Sequence, residues 1–92
     1  MKLSTVAVQD RLQQVNSWLI CNNAIEKKYV FKSFKEAMIF INKVAVIADE
    51  MNHHPEWINV YNKLTIRLST HDVSGITDKD FQLASAIDAI TV

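Results

Sequence analysis

Glycine, proline and cysteine each occur once in the 92 residues of this chain. The single cysteine, Cys21, excludes an internal disulfide and a cysteine-rich zinc module, and it is compatible with a reducing compartment. The single glycine, Gly75, excludes a glycine-rich phosphate loop and weakens any serine-nucleophile elbow. Because the formal net charge is zero, the chain has no excess positive charge to attract nucleic acid, and we expect no direct nucleic-acid ligand.

Long hydrophobic runs are also missing. No stretch of the sequence has the length and apolarity of a membrane span or a signal peptide, so we expect a cytoplasmic protein without membrane contact. Hydrophobic residues nevertheless make up 49% of the chain, which suffices for one modest core. The sequence therefore predicts a single domain over residues 1–92.

The hydrophobic periodicity predicts alternating helices and hairpins. Residues 4–15 fit a short amphipathic helix, and residues 18–31 fit a hairpin that turns at Asn22 and Asn23. Residues 33–51 fit a long helix capped by Ser33, residues 57–70 fit one or two strands, and a last helix begins at Thr77. The pattern indicates an α+β fold, with an antiparallel sheet of about four strands covered by helices in the order α-β-β-α-β-β-α.

Several details of these elements are open to a structural test. Asn62 and Lys63 could form a two-residue hairpin turn, or the strand alternation could continue through them. Gly75 is expected at a turn with positive φ before the last helix. Ile39 and Val46 form a second apolar stripe on the long helix, which favours self-association. The core-facing stripe of that helix is predicted to contain Phe34, Ala37, Met38, Ile41, Val44, Ala45 and Ala48.

All three histidines lie in one window of the chain, His53, His54 and His71. The unperturbed pKa of histidine is near neutrality, so this window is a candidate for proton transfer or metal binding. Adjacent residues of an extended segment point in different directions, so His53 and His54 should have different functions. Helical metal sites favour histidine pairs three or four residues apart, which this chain lacks, and we therefore predict no metal and no cofactor.

Each candidate residue also has a purely structural interpretation. Any one histidine could be an ordinary loop residue, and Asp80 occupies the N3 position of a capping box that begins at Thr77. Trp57 and Tyr61 could be core or strand residues, or could flank a flat heterocycle. Residue types and spacing alone thus indicate an acid–base site and leave its reaction open.

Residues 49–63, 68–71 and 75–80 resemble the pterin-4a-carbinolamine dehydratase family. They include an acid at Asp49, four residues before His53, followed by Tyr61, His71 and Asp80. The similarity extends upstream to Trp18 and downstream to residues 83–84, so it covers most of the chain. The departures, at residues 15–17 and 73–74, lie in loops outside the histidine positions.

The resemblance implies a hydro-lyase, a 4a-hydroxytetrahydrobiopterin dehydratase. Such an enzyme converts 4a-hydroxytetrahydropterin to quinonoid dihydropterin and water during pterin recycling. By the same resemblance, His53 and His71 transfer protons, with acid and base unassigned, and His54 orients the substrate. Asp80 belongs to the catalytic set, where we expect it to orient or charge a histidine, and the pterin is expected to contact His54, Pro55 and Trp57.

The resemblance also supplies an alternative function and a set of partners. Some animal relatives act as coactivators that stabilise dimers of a homeodomain transcription factor, so a protein-interaction module is the alternative. A transcription-factor partner rests on this family analogy alone. The expected partners are a small-molecule pterin and further copies of the chain, in a dimer or tetramer. The histidines together with Asp80 favour the enzyme, because a binding module has no physical need for them.

Overall fold

Three α-helices and four strands follow one another in the predicted order α-β-β-α-β-β-α. The computed structural model describes residues 1–91, and Val92, the last residue of the predicted domain, lies outside them. Within residues 1–91, no helix combines the length and the apolarity needed to cross a bilayer. The elements are α1 (Thr5–Leu12), β1 (Leu19–Cys21), β2 (Ala24–Val30), α2 (Phe34–Glu50), β3 (Glu56–Val60), β4 (Lys63–Leu68), a 3-10 turn (His71–Val73) and α3 (Asp78–Asp88).

The strands form one antiparallel sheet in the order β1-β2-β4-β3. The predicted turn between β1 and β2 is confirmed: Cys21 pairs with Ala24, and Asn22 adopts the left-handed conformation at φ 58°. Alternate residues of β4 face the helices and are almost completely buried. They share one hydrophobic core with residues of all three helices. The predicted α+β architecture is confirmed.

The core-facing stripe of α2 differs from the prediction. Phe34 is 49% exposed, and Ala45 is also exposed, so their assignment to the core is wrong. Phe40 is buried instead, with its ring centroid 4.8 Å from that of Tyr29 and 5.2 Å from that of Phe31. The apolar stripe is rotated toward Phe40 because the aromatic rings at the end of β2 offer that side chain a large packing surface.

Two turns lie one residue earlier than the positions considered from the sequence. For the first, the sequence left open a turn at Asn62 and Lys63 or a continued strand, and the structure has neither. Val60 pairs with Lys63, so the turn consists of Tyr61 and Asn62, and Tyr61 takes the positive φ of 54°. Asn62 is held there because its side chain donates to the Phe31 carbonyl at 2.8 Å. In the second case Ser74 has the positive φ, 51°.

Gly75, which we expected to have positive φ, does not have it, and it lies against the side chain of Lys2. A Cβ at Gly75 would lie 2.6 Å from Cε of Lys2, within a segment where the Leu3 N–H donates to the Ile76 carbonyl at 2.8 Å. A larger residue at this position would require the end of the exposed Lys2 side chain to move aside.

Candidate active site

The C-terminus of α2 fixes the backbone position of His53. Asn52 adopts the left-handed conformation at φ 51°. Its N–H donates to the Asp49 carbonyl at 3.1 Å, and the His53 N–H donates to the Ala48 carbonyl at 3.0 Å. These two bonds form a Schellman motif, which ends a helix and redirects the chain. His53 therefore leaves α2 with a defined backbone direction.

The side chain of His53 is bonded to Asp80, at the start of α3. Nε2 of His53 lies 2.6 Å from Oδ1 of Asp80, and their side chains are 11% and 0% exposed. Asp80 is the N3 residue of the predicted capping box, in which the Thr77 N–H donates to Oδ2 at 2.9 Å. Of the two ring nitrogens of His53, Nε2 is engaged by Asp80, and Nδ1 is the nitrogen left for other partners.

Thr70 also bonds to this buried carboxylate. Its Oγ1 lies 3.0 Å from Oδ2 of Asp80 and 2.6 Å from Oγ1 of Thr77. The sequence predicted no role for Thr70. Its position directly before His71 was the available signal, but the contact with Asp80 depends on tertiary packing.

His71 begins the 3-10 turn after β4, and its side chain is exposed. The loop is closed at its base, where the Thr70 N–H donates to the Gly75 carbonyl at 2.7 Å. His71 shares a cleft of about 370 Å³ with both other histidines, which is the size of a small-molecule site. The cleft is lined by Asn52, His53, His54, Ser69, Thr70, His71, Asp72 and Lys79.

His54 projects differently from its neighbour. Its Nε2 lies 3.1 Å from Oδ1 of Asp49, and these side chains are 60% and 85% exposed. Pro55 and Trp57 do not line the histidine cleft but an adjacent cleft of about 500 Å³ against α2, which His54 also lines. The structure therefore brings the three histidines and Asp80 together, and it places Pro55 and Trp57 on the far side of His54. Tyr61 lines neither cleft.

The potential metal ligands of the site do not assemble into a metal centre. Among residues 1–91, no group of three histidine, cysteine, aspartate or glutamate side chains is arranged to hold an ion. The Oδ atoms of Asp80 are instead bonded to His53, Thr70 and the Thr77 N–H. A buried carboxylate with an imidazole partner and an open cleft beside it is suited to proton transfer.

Sequence comparisons identify the class of protein to which this fold and cleft belong. A family model described as pterin 4 alpha carbinolamine dehydratase matches residues 1–90. A Solibacter usitatus protein named putative pterin-4-alpha-carbinolamine dehydratase is 48% identical, with 97% of this chain and 94% of that protein covered. A Sulfurisphaera tokodaii protein of the same name is 46% identical, with 97% and 96% covered. The chain belongs to the pterin 4 alpha carbinolamine dehydratase family.

Solved structures show the same fold. The crystal structure of a transcriptional coactivator/pterin dehydratase from Brucella melitensis superposes with a TM-score of 0.93, at 31% identity and 97% coverage of both chains. A pterin dehydratase-like protein identified as a RuBisCO assembly factor in the alpha-carboxysome superposes with a TM-score of 0.66. That second protein is 19% identical, with 80% of this chain and 88% of its own covered, and it shares the fold alone.

Proposed function

We propose that this protein dehydrates 4a-hydroxytetrahydropterin to quinonoid dihydropterin by histidine acid–base catalysis. One observation carries the proposal: His53 and His71 line the same small cleft, and His53 is bonded there to the fully buried Asp80. The dehydration needs a proton donor at the departing hydroxyl and an acceptor for a ring-nitrogen proton. Two imidazoles in one cleft supply both groups.

The proposed reaction balances without oxidation or reduction. One imidazolium protonates the 4a-hydroxyl, the C4a–O bond breaks and water leaves. A neutral imidazole takes the proton from the ring nitrogen, and the electron pair of that N–H bond forms the new carbon–nitrogen double bond. One proton is given and one is taken, so either histidine of the pair can be the acid. General acid–base terms of this kind contribute about 10²–10⁴-fold each.

The remaining residues of the proposed site orient these groups. Asp80 holds the proton of His53 on Nε2, so Nδ1 is the nitrogen that exchanges a proton with the substrate. His54 lies between the two clefts and is proposed to orient the pterin. Pro55 and Trp57 line the second cleft, where an apolar wall is available to a substrate that extends past His54.

The wider biological assignment extends the proposal beyond the site. We propose that the protein regenerates the pterin used in aromatic amino-acid hydroxylation, in the cytoplasm and as a homo-oligomer. The coactivator alternative is supported by the name of the Brucella melitensis protein, which also contains pterin dehydratase. The enzymatic function is supported by the same name, by the family and by the histidine cleft. We therefore prefer it to the coactivator function.

A stopped-flow assay tests the proposal. Chemically generated 4a-hydroxytetrahydropterin is mixed with the wild type, His53→Ala, His71→Ala or the control Gln82→Ala, which alters an exposed residue of α3. We expect the wild type and the control to accelerate dehydration over buffer and each histidine variant to lose about 10²-fold or more. A wild type no faster than buffer refutes the enzyme. Wild-type rates in both histidine variants refute the residue assignment.

A further inference from the structure

We propose that Thr70, through its side-chain hydroxyl, is a positioning residue for His53. Its side chain bonds to Asp80, the partner of His53, while its backbone closes the loop that begins at His71. The kinetic part of this inference rests on the proposed function. The structural part concerns the imidazole of His53 and is measurable whether or not the protein is a dehydratase.

The direction of the hydrogen bonds assigns the hydroxyl proton of Thr70 to Asp80. Oγ1 of Thr77 accepts the Lys79 N–H at 3.2 Å, so the hydroxyl of Thr77 is free to donate its own proton to Oγ1 of Thr70 at 2.6 Å. Thr70 then donates to Oδ2 of Asp80 at 3.0 Å, because a carboxylate has no proton to give. A relay of hydroxyl groups thus ends on the buried carboxylate.

Thr70 thereby completes the set of donors around Asp80. Oδ2 receives the Thr70 hydroxyl and the Thr77 N–H, and Oδ1 receives the imidazole of His53. Asp80 is 0% exposed, so no solvent contact compensates for a lost donor. Without the Thr70 bond, the carboxylate can rotate toward other donors, and the geometry of its bond to His53 is no longer fixed.

The backbone of Thr70 acts on the other histidine. Its N–H donates to the Gly75 carbonyl at 2.7 Å, and its carbonyl accepts the Val73 N–H at 3.2 Å. These bonds hold the two ends of the 3-10 turn that carries His71. A side-chain substitution at Thr70 keeps both of these backbone bonds, so the turn that carries His71 is preserved. Any change in the variant then reports on the contact between Thr70 and Asp80, and through it on His53.

The variants Thr70→Val and Thr70→Ala remove the hydroxyl, and Thr70→Ser retains it. Thr70→Ala avoids placing a methyl group against the carboxylate, so it covers the case in which Thr70→Val folds poorly. Thr65→Val is the matched control, because Thr65 lies on β4 at a position that faces away from the core. For both hydroxyl-free variants we expect kcat to fall about tenfold with KM unchanged, the effect of one hydrogen bond to a charged group. Thr70→Ser and Thr65→Val should keep the wild-type kcat.

Nitrogen-15 NMR of the imidazoles provides a readout that a purely structural role would not change. We expect one tautomer of His53, protonated on Nε2, in the wild type, Thr70→Ser and Thr65→Val, and a mixture of tautomers in folded Thr70→Ala. A single Nε2-protonated tautomer together with wild-type kcat in Thr70→Ala overturns the proposal. Loss of the tautomer in Thr70→Ala, combined with an inactive wild type, supports the role of Thr70 and refutes the dehydratase.

Discussion

His53 and Asp80 are separated by 27 positions in the sequence, yet Nε2 of the histidine lies 2.6 Å from Oδ1 of the aspartate. The contact exists because the end of α2 and the start of α3 meet at the histidine cleft. The Schellman motif at Asn52 directs His53 toward α3, and the capping box at Thr77 orients the carboxylate. Two helix-terminal motifs thus place an imidazole with a defined orientation in the cleft wall.

Replacing Asp80 with asparagine should reduce catalysis and stability together. The asparagine side chain would keep the shape of the aspartate but lose the charge that accepts three hydrogen bonds. We expect kcat to fall by about 10²-fold and the free energy of unfolding to fall by about 1–3 kcal/mol, the range for hydrogen bonds to a charged group. Stopped-flow kinetics and urea denaturation of Asp80→Asn measure the two effects.

Asp78→Asn is the matched control for that substitution. Asp78 lies in the same first turn of α3 but is exposed and ion-paired with Arg11. Its removal should cost at most about 1 kcal/mol through the helix dipole and the surface ion pair, with kcat unchanged. Equal losses of kcat in Asp78→Asn and Asp80→Asn would show that helix capping, and not the bond to His53, accounts for the result.

His54→Ala should affect substrate binding more than the chemical step. His54 is 60% exposed and pairs with Asp49, whereas His53 is largely buried against Asp80. A residue that orients the substrate equally in the ground and transition states changes KM and leaves kcat close to its original value. Steady-state kinetics of His54→Ala should show this pattern, and a loss of kcat as large as that of His53→Ala would contradict the proposed division of roles.

The hydroxyl of Tyr29 predicts a dependence of stability on alkaline pH. Its oxygen is buried and has no hydrogen-bond partner within residues 1–91. Burial, and secondarily the charge of Asp88, raises the pKa of Tyr29. The folded state therefore binds the phenol proton more tightly than the unfolded state does. The stability that this difference contributes is complete below the ordinary tyrosine pKa of about 10 and is lost as the pH rises above it.

Tyr29→Phe removes both the unpaired hydroxyl and this titration. Urea denaturation at pH 7 should find the variant at least as stable as the wild type, since a buried polar group without a partner costs about 1–3 kcal/mol. At pH 11 the variant should lose less stability than the wild type. Tyr61→Phe, at an exposed position, is the control and should follow the wild type at both pH values. A larger alkaline loss in Tyr29→Phe would contradict the assignment.

The outer surface of α2 predicts self-association. Ile39 and Val46 are 40% and 60% exposed, as expected for a second apolar stripe that packs against another chain. Light scattering at micromolar concentration should give a mass above that of the monomer, and Ile39→Lys combined with Val46→Lys should reduce it. Gln82→Lys combined with Ser85→Lys, at exposed positions of α3, adds the same charge outside this surface and is the control. A strictly monomeric wild type would refute this interface.

The parts of the fold that depend on residues close together in the sequence could be predicted from it. The turn at Asn22 and the capping box at Thr77 are local, because the residues that form their bonds lie within a few positions of each other. The core position of Phe40 could not be predicted in the same way, since it depends on the rings of Tyr29 and Phe31 from another element. Periodicity gives the width of an apolar stripe more reliably than its exact rotation.

The candidate site shows the same division. The residue types and the family resemblance indicated His53, His71 and Asp80, but the 2.6 Å contact and the burial of the carboxylate required the packed helices. The contribution of Thr70 was not predictable, because its bond to Asp80 depends on how the loop after β4 meets α3. Trp57 occupies a separate cleft, a separation that the linear spacing from His54 does not reveal.

The most direct test of the account is the dehydration rate of the double variant His53→Ala/His71→Ala. Both proton-transfer groups of the cleft are then absent, while Asp80 is retained, and circular dichroism verifies that the variant is folded. In stopped-flow measurements with 4a-hydroxytetrahydropterin, we expect the wild type to exceed the rate in buffer by at least about 10²-fold and the double variant to approach the buffer rate. A folded double variant that retains the wild-type rate would contradict histidine acid–base catalysis in this cleft.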